Sequence, residues 1–493
     1  MLALSLARRG VAFRLVSAAA GPGEKSRAMA VHARTLEFYR QFGFADEVVA
    51  AGVPVGAMHL RERRRGRAAA QVARFDLRDM GAGLSAYPFV LAYPQDAHER
   101  LLIGKLAEAG GRVEWNTALT AAEQDESGIR ATLAGPDGRT EAVEAAWLAG
   151  CDGAHSAVRH ALGIGFPGGS YDQLFYVADV AIEGGFIADM SVTIGTDLLA
   201  LMMPVRATGM QRLIGLVPRA LSGRSDLTFD DLRGELEPLL GVQVATVNWF
   251  STYRVHHRVA ERFRQGRAFL LGDAAHVHSP AGGQGMNTGI GDAVNLGWKL
   301  ADVIRGRAPA ALLDSVEPER IAFARTLVAT TDRAFGRLVA AGPAGVAVRR
   351  LVAPLAAATM ARFDATRRLA FRALSQTGIR YPDSPLSEGR AGQVKGGDRL
   401  PWIATIDNHA PLASLDWQAH VHGTPTADVE AACAAAGLPL HRLGWDAEVA
   451  AAGLARDALY VVRPDGHVAL AAPGPNASTA LSTWIGKQGL RLR

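Results

Sequence analysis

The sequence has few cysteines and no long apolar run. Its 2 cysteines, Cys151 and Cys433, lie in different regions of the 493-residue chain, and no CxxC pair or metal-ligand cluster accompanies them. Disulfides and metal sites are therefore not expected. The longest apolar stretches, Leu198–Val205 and Ala353–Met360, are much shorter than the roughly 18–20 residues that span a membrane. We expect a cytoplasmic protein with no bound metal and no membrane partner.

Clustered positive charge is also scarce. The 53 Lys and Arg exceed the 48 Asp and Glu by only 5 charges, and just five of the cations are lysines. The densest run, Arg61–Arg67, is broken by Glu62 and Gly66 and contains no aromatic residue. Nucleic-acid-binding surfaces usually combine clustered cations with aromatic side chains, so no nucleic-acid partner is expected. With 49% hydrophobic residues, the chain is long enough for about three folded domains.

The first part of the chain has the pattern of an α/β domain. Met1–Arg9 carries apolar residues at helical spacing and is followed by Gly10, a residue typical of helix ends. Val11–Val16 predicts a short buried strand, and a Gly/Pro turn then precedes a helix that contains Arg34. This order predicts a Rossmann-like βαβ unit whose first strand would precede residue 1. We assign residues 1–165 and 265–345 to this discontinuous domain.

The middle and end of the chain differ from this α/β pattern. Residues 166–264 are β-rich, with strands expected near Leu198–Val205 and Gln211–Val217 joined by a turn at Ala207–Gly209, and predict an inserted antiparallel sheet that binds substrate. Residues 346–390 predict a helical segment and a linker, because Tyr381–Pro401 is rich in Pro, Gly and Ser. Residues 391–493 predict a separate small α/β domain, with strands at Ala458–Val462 and His467–Ala471 and a final helix.

The strongest chemical signal is the segment Ala268–Gly306, AFLLGDAAHVHSPAGGQGMNTGIGDAVNLGWKLADVIRG. An apolar strand delivers Asp273 at its carboxyl end, where open α/β sheets bind ligands. A loop with Pro280, Gly282, Gly283 and Gly285 follows, and its glycines let the backbone approach a flat ligand. A helix starting near Asn287 would direct its N–H groups and positive dipole end towards that ligand.

This segment resembles the second FAD-binding motif of the aromatic-ring hydroxylases, the group A flavoprotein monooxygenases. The resemblance implies that Asp273 binds the ribityl chain of FAD. It also implies that the loop and helix start line the flavin and stabilise its reduced, anionic ring. The residues that take this second role are Pro280, Gly282, Gly285, Met286 and Asn287. Of these, Pro280, Gly282 and Asn287 are the candidate catalytic residues.

Three further residues resemble the cofactor-binding positions of the same family. Asp152 lies in the segment Ala149–Arg159, AGCDGAHSAVR, which resembles the DG motif near the FAD pyrophosphate, with Arg159 capping its network. Arg34 in VHARTLE resembles the arginine that faces the flavin or its pyrophosphate. Gln95 in PQDAHERLL resembles the glutamine beside the flavin.

Two family features are missing. The GxGxxG fingerprint is absent, and Met1 corresponds to a position partway along the helix that this motif introduces. The acidic residue expected to hold the adenosine ribose aligns with Ser17, which lacks its charge. A start codon recorded too far downstream and a truncated chain both explain these departures, and we favour the first.

The C-terminal segment Leu459–Ala472 resembles the thioredoxin-like domain of phenol-hydroxylase-type members. Because it has no CxxC, we expect it to serve structure or assembly rather than redox chemistry. A homodimer is one possible assembly.

The resemblance implies an FAD-dependent, NAD(P)H-using monooxygenase that hydroxylates an aromatic, phenolic or polyketide-type substrate. NAD(P)H would reduce FAD, and O2 would form a C4a-hydroperoxide that transfers oxygen to the ring. The substrate would lie between the Pro280 loop and the inserted sheet. No residue stands out as the base that deprotonates it, although His278 lies near the loop. A flavin halogenase is disfavoured because no WxWxIP signature occurs. A flavin-free binding protein that keeps the pocket is the alternative.

Overall fold

The computed structural model describes residues 1–23, 28–63, 69–195, 198–205, 208–339 and 362–492, together with positions 347, 348, 352, 355 and 359. Ala207, most of the run Arg61–Arg67 and most of Ala353–Met360 lie outside these residues. Within the described part, no helix has the length and apolar character needed to cross a membrane. The same residues contain no group of three or more His, Cys, Asp or Glu that could hold a metal ion.

The N-terminal part is a helical layer around short strands. Its helices are α1 (Leu2–Ala7), α2 (Ala33–Gln41), α3 (Ala45–Ala51), α4 (Gln95–Glu108) and α5 (Ala157–Ala161), and they are joined later by α7 (Gly285–Ile304) and α8 (Val316–Val339). One three-stranded antiparallel sheet lies beside α2; its strands are β1 (Ala30–Val31), β5 (Leu91–Ala92) and β2 (Val53–Pro54). A second three-stranded antiparallel sheet consists of β6 (Ala118–Gln124), β7 (Ile129–Ala134) and β8 (Thr140–Ala145). Helix α1 packs closely on α7. The side chain of Ser5 in α1 leaves no room for a side chain at Gly297 in α7, where a Cβ would lie 2.5 Å from Ser5 Oγ.

The expected strand at Val11–Val16 is only partly formed. Val11 is buried, but the segment pairs through a single parallel bridge between Val16 and Glu114. The Glu114 N–H donates to the Leu15 carbonyl over 2.8 Å, and the Ser17 N–H donates to the Glu114 carbonyl over 2.9 Å. The segment is therefore extended but only partly buried, since Ala12 and Arg14 are exposed, and too few ladder hydrogen bonds form for a regular strand.

A large sheet of eight strands forms the second layer. Its order is β17-β14-β10-β13-β12-β11-β3-β4, and its pairs are antiparallel except for β11 with β3. The strands are β3 (Ala57–Glu62), β4 (Ala70–Asp76), β10 (Gly168–Ile182), β11 (Met190–Ile194), β12 (Leu199–Val205), β13 (Met210–Leu216), β14 (Val244–Val259) and β17 (His276–Val277). Residues 166–264 thus supply only part of the sheet, since β3, β4 and β17 come from outside that interval.

One face of this sheet is closed by α6 (Phe229–Leu240). The helix begins with a capping box formed by Thr228 and Asp231 and ends at Gly241, whose φ of +71° is the left-handed conformation that glycine adopts easily. Its buried leucines pack on Tyr176, Ala178 and Met202. Because α6 covers this face, the opposite face is left for a cavity.

The C-terminal part contains a six-stranded sheet with the order β19-β18-β23-β22-β20-β21. Its strands are β18 (Glu388–Ala391), β19 (Val394–Lys395), β20 (Gln418–His422), β21 (Leu440–Leu443), β22 (Leu459–Val462) and β23 (Val468–Ala472), and its helices are α10 (Ala427–Ala436), α11 (Ala447–Ala451) and α12 (Ala477–Gln488). The chain first forms a β20-α10-β21 unit, in which the two strands are parallel. It then forms a β22-β23-α12 unit, in which β22 is antiparallel to β23 and also to β20. The thioredoxin-like resemblance stays a prediction.

The segment Tyr381–Pro401 is not a free linker, which corrects the sequence analysis. After α9 (Asp364–Leu374), Tyr381 is buried and its hydroxyl accepts a hydrogen bond from Arg320 over 2.9 Å. Strand β18 pairs in parallel with β23. The Pro, Gly and Ser of this segment serve tight turns on the edge of the sheet, and local composition alone does not distinguish such turns from a linker.

Candidate functional site

The two motif strands are direct neighbours. Strand β9 (Leu148–Gly150), which leads into the DG segment, pairs in parallel with β16 (Ala268–Leu270), which leads to Asp273; β15 (Arg264–Gln265) completes this small sheet. Parallel strands end at the same edge, so both motif loops leave the sheet side by side. The sequence contained each loop separately, and the structure brings them together.

Arg159 ties these two loops to each other. Its buried guanidinium donates to the Ala274 carbonyl over 2.9 Å and to the Ala154 carbonyl over 2.7 Å. Asp152 accepts a hydrogen bond from the Val158 N–H over 3.1 Å, and Ser156 caps α5 by accepting from the Arg159 N–H. Asp152 therefore shapes the turn before α5, while Cys151, Gly153 and Ala154 line the adjacent cavity.

The loop from Gly272 to Gln284 passes close to the start of α7. Asp273 lies in a short 3-10 turn and lines the cavity, as do Pro280 and Gly282. Helix α7 begins at Gly285, two residues earlier than expected, so the backbone of Gly285 and Met286 forms its first turn beside the cavity. The first N–H groups of a helix have no partner within the helix, and this end therefore suits a negatively charged group.

Asn287 fixes the position of this loop through hydrogen bonds of its buried side chain. Its side-chain oxygen accepts hydrogen bonds from the His32 N–H over 2.9 Å and from the Thr35 hydroxyl over 2.8 Å. Its amide nitrogen donates to the carbonyls of Ala30 and Gly283 over 2.8 and 2.9 Å. The side chain is 1% exposed and already makes four hydrogen bonds. Asn287 is therefore placed to fix the loop geometry rather than to touch a ligand.

A cavity of about 1460 Å³ extends from these loops to the eight-stranded sheet. Asp273, Gln95 and the α7 start line one side, and apolar side chains of the sheet, including Phe75, Leu201 and Ile214, line the other. Gln95 also accepts a hydrogen bond from the Ala28 N–H over 3.2 Å. A pocket for one drug-sized ligand measures roughly 300–1,000 Å³. This cavity has room for a large cofactor and a second, apolar molecule.

Arg34 does not line this cavity, which corrects the expectation that it faces the flavin or its pyrophosphate. It is 3% exposed, donates to Glu37 over 2.9 Å and also bonds the backbone carbonyl of Asp465. Burial lowers the pKa of Arg34. Burial alone would raise the pKa of Glu37, but the positive charges of Arg399 and Arg34 outweigh it and hold the pKa of this carboxyl well below its ordinary value. Its role is to join α2 to the C-terminal part. The motif VHARTLE gave no sign of that partner, which lies more than 400 residues away in the chain.

Buried polar groups that the sequence analysis did not single out support the same loops. Asp292 of α7 accepts hydrogen bonds from the Gly272 N–H, His276 and Arg320 over 3.0, 2.8 and 2.6 Å. Burial raises its pKa, yet Arg320 and His276 outweigh this and bring the pKa of Asp292 to about 2. Asp292 could have been found from the sequence, because it lies in the motif Ala268–Gly306. Its partner Arg320 lies outside the motifs, and no local pattern points to it.

Two histidines that line the cavity remain neutral at pH 7. His32 Nε2 lies 2.8 Å from the Gly282 carbonyl, and His278 Nδ1 lies 2.8 Å from the Ser279 carbonyl. Burial lowers the pKa of each to about 4. A base with so low a pKa accepts a phenol proton poorly at pH 7, so both serve better as hydrogen-bonding groups that hold the loop.

Comparison with known proteins agrees with this site. Residues 1–331 match the family model described as "FAD binding domain". The chain belongs to this family of FAD-binding proteins. It is 38% identical over 406 residues to 6-methylpretetramide 4-monooxygenase of Streptomyces rimosus, covering 80% of this chain and 70% of that protein. It is 33% identical to 12-dehydrotetracycline 5-monooxygenase/anhydrotetracycline 6-monooxygenase of the same species, over 99% of this chain and 96% of that protein.

Solved structures of this family extend the likeness to the whole chain. The OxyS anhydrotetracycline hydroxylase from Streptomyces rimosus has a TM-score of 0.78 at 28% identity, and the match covers 100% of this chain and 96% of that one. A ternary complex of aklavinone-11 hydroxylase with FAD and aklavinone has a TM-score of 0.77 at 25% identity. The chain is therefore an FAD-dependent, NAD(P)H-using aromatic monooxygenase. The flavin-free binding protein is not supported.

The residues at the cavity fit FAD. Asp273 offers a carboxylate to sugar-like hydroxyls, and the first turn of α7 offers N–H groups to negative charge. The approach of α7 to the loop also depends on small residues, because a Cβ at Gly289 would lie 3.2 Å from the Gly272 Cα. This close packing brings the start of α7 to the wall of the cavity, where a flat ring system would meet backbone rather than side chains.

Proposed function

We propose that the substrate is a polycyclic aromatic molecule of the polyketide type, bound between the loop Pro280–Gln284 and the eight-stranded sheet. The observation that carries this proposal is the single continuous cavity, which joins the flavin loop to a wide apolar wall. Relatives named for 6-methylpretetramide and anhydrotetracycline, and the structure with aklavinone, support a substrate of several fused rings.

In this proposal the cofactor site is built from both motif loops. Asp273 and Gln95 bind FAD directly, the backbone of Gly285 and Met286 faces the flavin ring, and Asp152 shapes the neighbouring loop. Pro280 and Gly282 give the loop its path, since Gly282 has a φ of +76°. FAD held by these residues would supply the redox chemistry, namely reduction by NAD(P)H and activation of O2.

The protein's own groups position the substrate and keep water out. Most of the sheet wall is apolar, although Arg74 and Asp76 of β4 and Arg254 and His256 of β14 also line the cavity. The apolar side chains would keep water away from a substrate that lies against them. Asn287, His32 and His278 hold the loop carbonyls, so the start of α7 keeps its N–H groups directed at the cavity. A fixed set of N–H donors stabilises developing negative charge without reorganisation.

Turnover with labelled oxygen tests this function. We expect NAD(P)H oxidation to accelerate when anhydrotetracycline or a hydroxylated anthraquinone is added, and mass spectrometry should find one 18O atom from 18O2 in the product. Phenol serves as the small-ring comparison and should stimulate less, because it leaves most of the apolar wall uncovered. Equal stimulation by phenol would reject the polycyclic class. Label recovered only in peroxide and water, with FAD bound, would reject hydroxylation altogether.

A further inference from the structure

Methionine side chains are concentrated on the wall of the cavity. Among the described residues, seven methionines line it: Met1, Met29, Met58, Met80, Met190, Met203 and Met286. The chain contains only 10 methionines in 493 residues. Methionine is unbranched and polarisable, so its side chain adapts to neighbours of different shape. Such a concentration at one surface calls for a reason connected with the ligand.

Three of these methionines form one row across adjacent strands. Met190 of β11 is the partner of Met58 in β3, and Met58 is also the partner of Phe75 in β4. Strands β11 and β12 are antiparallel, and Ser191 is the partner of Met202. One position further along this register, Met190 of β11 lies opposite Met203 of β12. Residues opposite each other in a ladder point to the same face. The row therefore lies on the cavity face of the sheet.

The next row on the same face is different in character. Val192 faces Leu201, and Leu201 faces Ile214, and all three line the cavity. These side chains are branched and have fewer rotatable bonds than methionine. The wall therefore combines a stiff row of branched side chains with an adjacent row of flexible thioethers.

Met286, on the flavin side, is held differently from the wall methionines. His98 Nδ1 lies 3.3 Å from its sulfur, and Tyr39 bonds the other nitrogen of the same imidazole. Burial lowers the pKa of His98 to about 3, so the imidazole is neutral at this contact. Met58, Met190 and Met203 instead lie in one row on the sheet, across the cavity from the loop, and pack in one apolar cluster that also contains Met29 and Met80.

We propose that Met58, Met190 and Met203 determine the breadth of substrates that this cavity accepts. This inference rests on the proposed function, since it assumes that the substrate lies against the sheet. The three thioethers rearrange around the outline of the bound rings, while the row of branched side chains sets a fixed floor. Surfaces that accept several partners use flexible methionines in this way. A wall of leucine would fit one outline and reject the others.

The test compares three aromatic probes on the FAD-loaded enzyme. The probes are 1,8-dihydroxyanthraquinone, which is linear and tricyclic, anhydrotetracycline, which is linear and tetracyclic, and benz[a]anthracene-7,12-dione, which is angular. Their dissociation constants are measured from the change in flavin absorbance, for the wild type and for M58L/M190L/M203L. Leucine has nearly the volume of methionine, and folded proteins generally tolerate this exchange. We expect the best-bound probe to stay within about threefold and the weakest to lose at least tenfold.

Met202→Leu is the matched control. Met202 is next to Met203 on β12, but it lies on the opposite face and packs beneath α6. It should leave all three dissociation constants unchanged, with FAD content equal in every variant. A uniform shift for the three probes in the triple variant, or the same narrowing in Met202→Leu, overturns the inference. If the wild type binds none of the probes, the proposed function itself is wrong. If the wild type binds them and the triple variant does not narrow its range, only the inference about the methionines is wrong.

Discussion

At the scale of single residues, Asp273 is the clearest candidate for a direct contact with FAD. Its carboxylate lines the cavity at the end of β16, beside the neighbouring motif loop. A hydrogen bond to a charged group contributes about 1.5–3 kcal/mol. We predict that Asp273→Ala raises the dissociation constant for FAD by about 10- to 100-fold, as measured by fluorescence titration of the apoprotein.

Asp172→Ala is the control for this prediction, because Asp172 is exposed and is not among the residues that line the cavity. It should bind FAD as tightly as the wild type. An unchanged FAD affinity in Asp273→Ala would remove Asp273 from the cofactor site.

The residue scale also shows what a motif does not reveal. Asp273 and Gln95 line the cavity as expected, whereas Arg34 is buried against Asp465. Asn287 is close to the site but acts through Gly283 and His32. A motif fixes which residue types occur near a site. Whether a long side chain points to the ligand or to a neighbouring helix depends on packing partners that are distant in the chain.

At the scale of elements, the loop before α7 depends on Gly283. Its φ is +62°, and a Cβ placed there would lie 2.7 Å from the Ala30 Cβ. A left-handed conformation costs a non-glycine residue about 1–2 kcal/mol, and the clash with β1 adds to this cost. We predict that Gly283→Ala lowers the free energy of unfolding by more than about 2 kcal/mol and reduces the FAD content of the purified enzyme.

Gly306→Ala separates the two causes. Gly306 follows α7 and has a φ of +71°, but nothing lies within 4 Å of the Cβ position. It should show only the conformational cost of about 1–2 kcal/mol, with normal FAD content. Urea unfolding curves of both variants give the comparison. Equal losses for the two would mean that the contact with Ala30 is unimportant.

At the scale of the whole molecule, the C-terminal part is locked to α7 and α8. Asp465 accepts a hydrogen bond from Trp298 Nε1 over 3.1 Å, and Arg463 donates to both Asp465 and Glu319. Trp298 also meets Trp417 edge to face, with ring centres 5.1 Å apart. One apolar core contains residues of both parts, including Leu312 and Trp484. The two parts therefore share a core and a buried ionic network.

Breaking this network should destabilise the entire protein. Removing one partner of a buried ion pair costs about 3–5 kcal/mol, so we predict a loss of this size for Asp465→Ala in urea unfolding. Tryptophan fluorescence and flavin release should still report one transition. Glu430→Ala, which removes an exposed pair with Arg442, should cost no more than about 1 kcal/mol. Two separate transitions in Asp465→Ala would show that the parts unfold independently.

The stability of the molecule should fall in acid. Burial lowers the pKa of His32 and His278 from 6.5 to about 4, so the unfolded chain binds their protons first as the pH falls. Their contribution is complete above about pH 6.5 and is lost towards pH 4. The buried carboxylates of Glu37 and Glu319 also have lowered pKa values, and their contribution disappears at still lower pH. We predict a melting temperature that is constant from pH 7 to 8 and falls steadily from pH 6.5 to 4.

Thermal melts in the presence of excess FAD check this dependence. The double variant H32Q/H278Q keeps a hydrogen-bonding group at both positions but removes their titration. It should flatten the decline between pH 6.5 and 4 relative to the wild type. A melting temperature that rises on acidification, or an unchanged slope in the variant, would contradict this assignment.

The sequence by itself determined the chemistry of this protein, the α/β pattern and most elements that carry the motifs. Helix α2, strand β16 and helix α7 were all readable, because hydrophobic periodicity and glycine placement are local properties. The cofactor class followed from a motif of nearly forty residues. By contrast, the linker predicted at Tyr381–Pro401 was wrong and the strand predicted at Val11–Val16 formed only in part, because both segments depend on partners elsewhere in the chain.

Only the tertiary structure decided how the cavity wall is made and how the parts are joined. Strands β3 and β4 enter the eight-stranded sheet from another region of the chain, and this pairing creates the row of Met58, Met190 and Met203. The contact of Arg34 with Asp465 likewise appears only after folding. Burial of apolar surface drives such long-range contacts without leaving a local pattern. The sequence therefore specifies which reaction is carried out, and the packing of distant segments specifies the space in which it occurs.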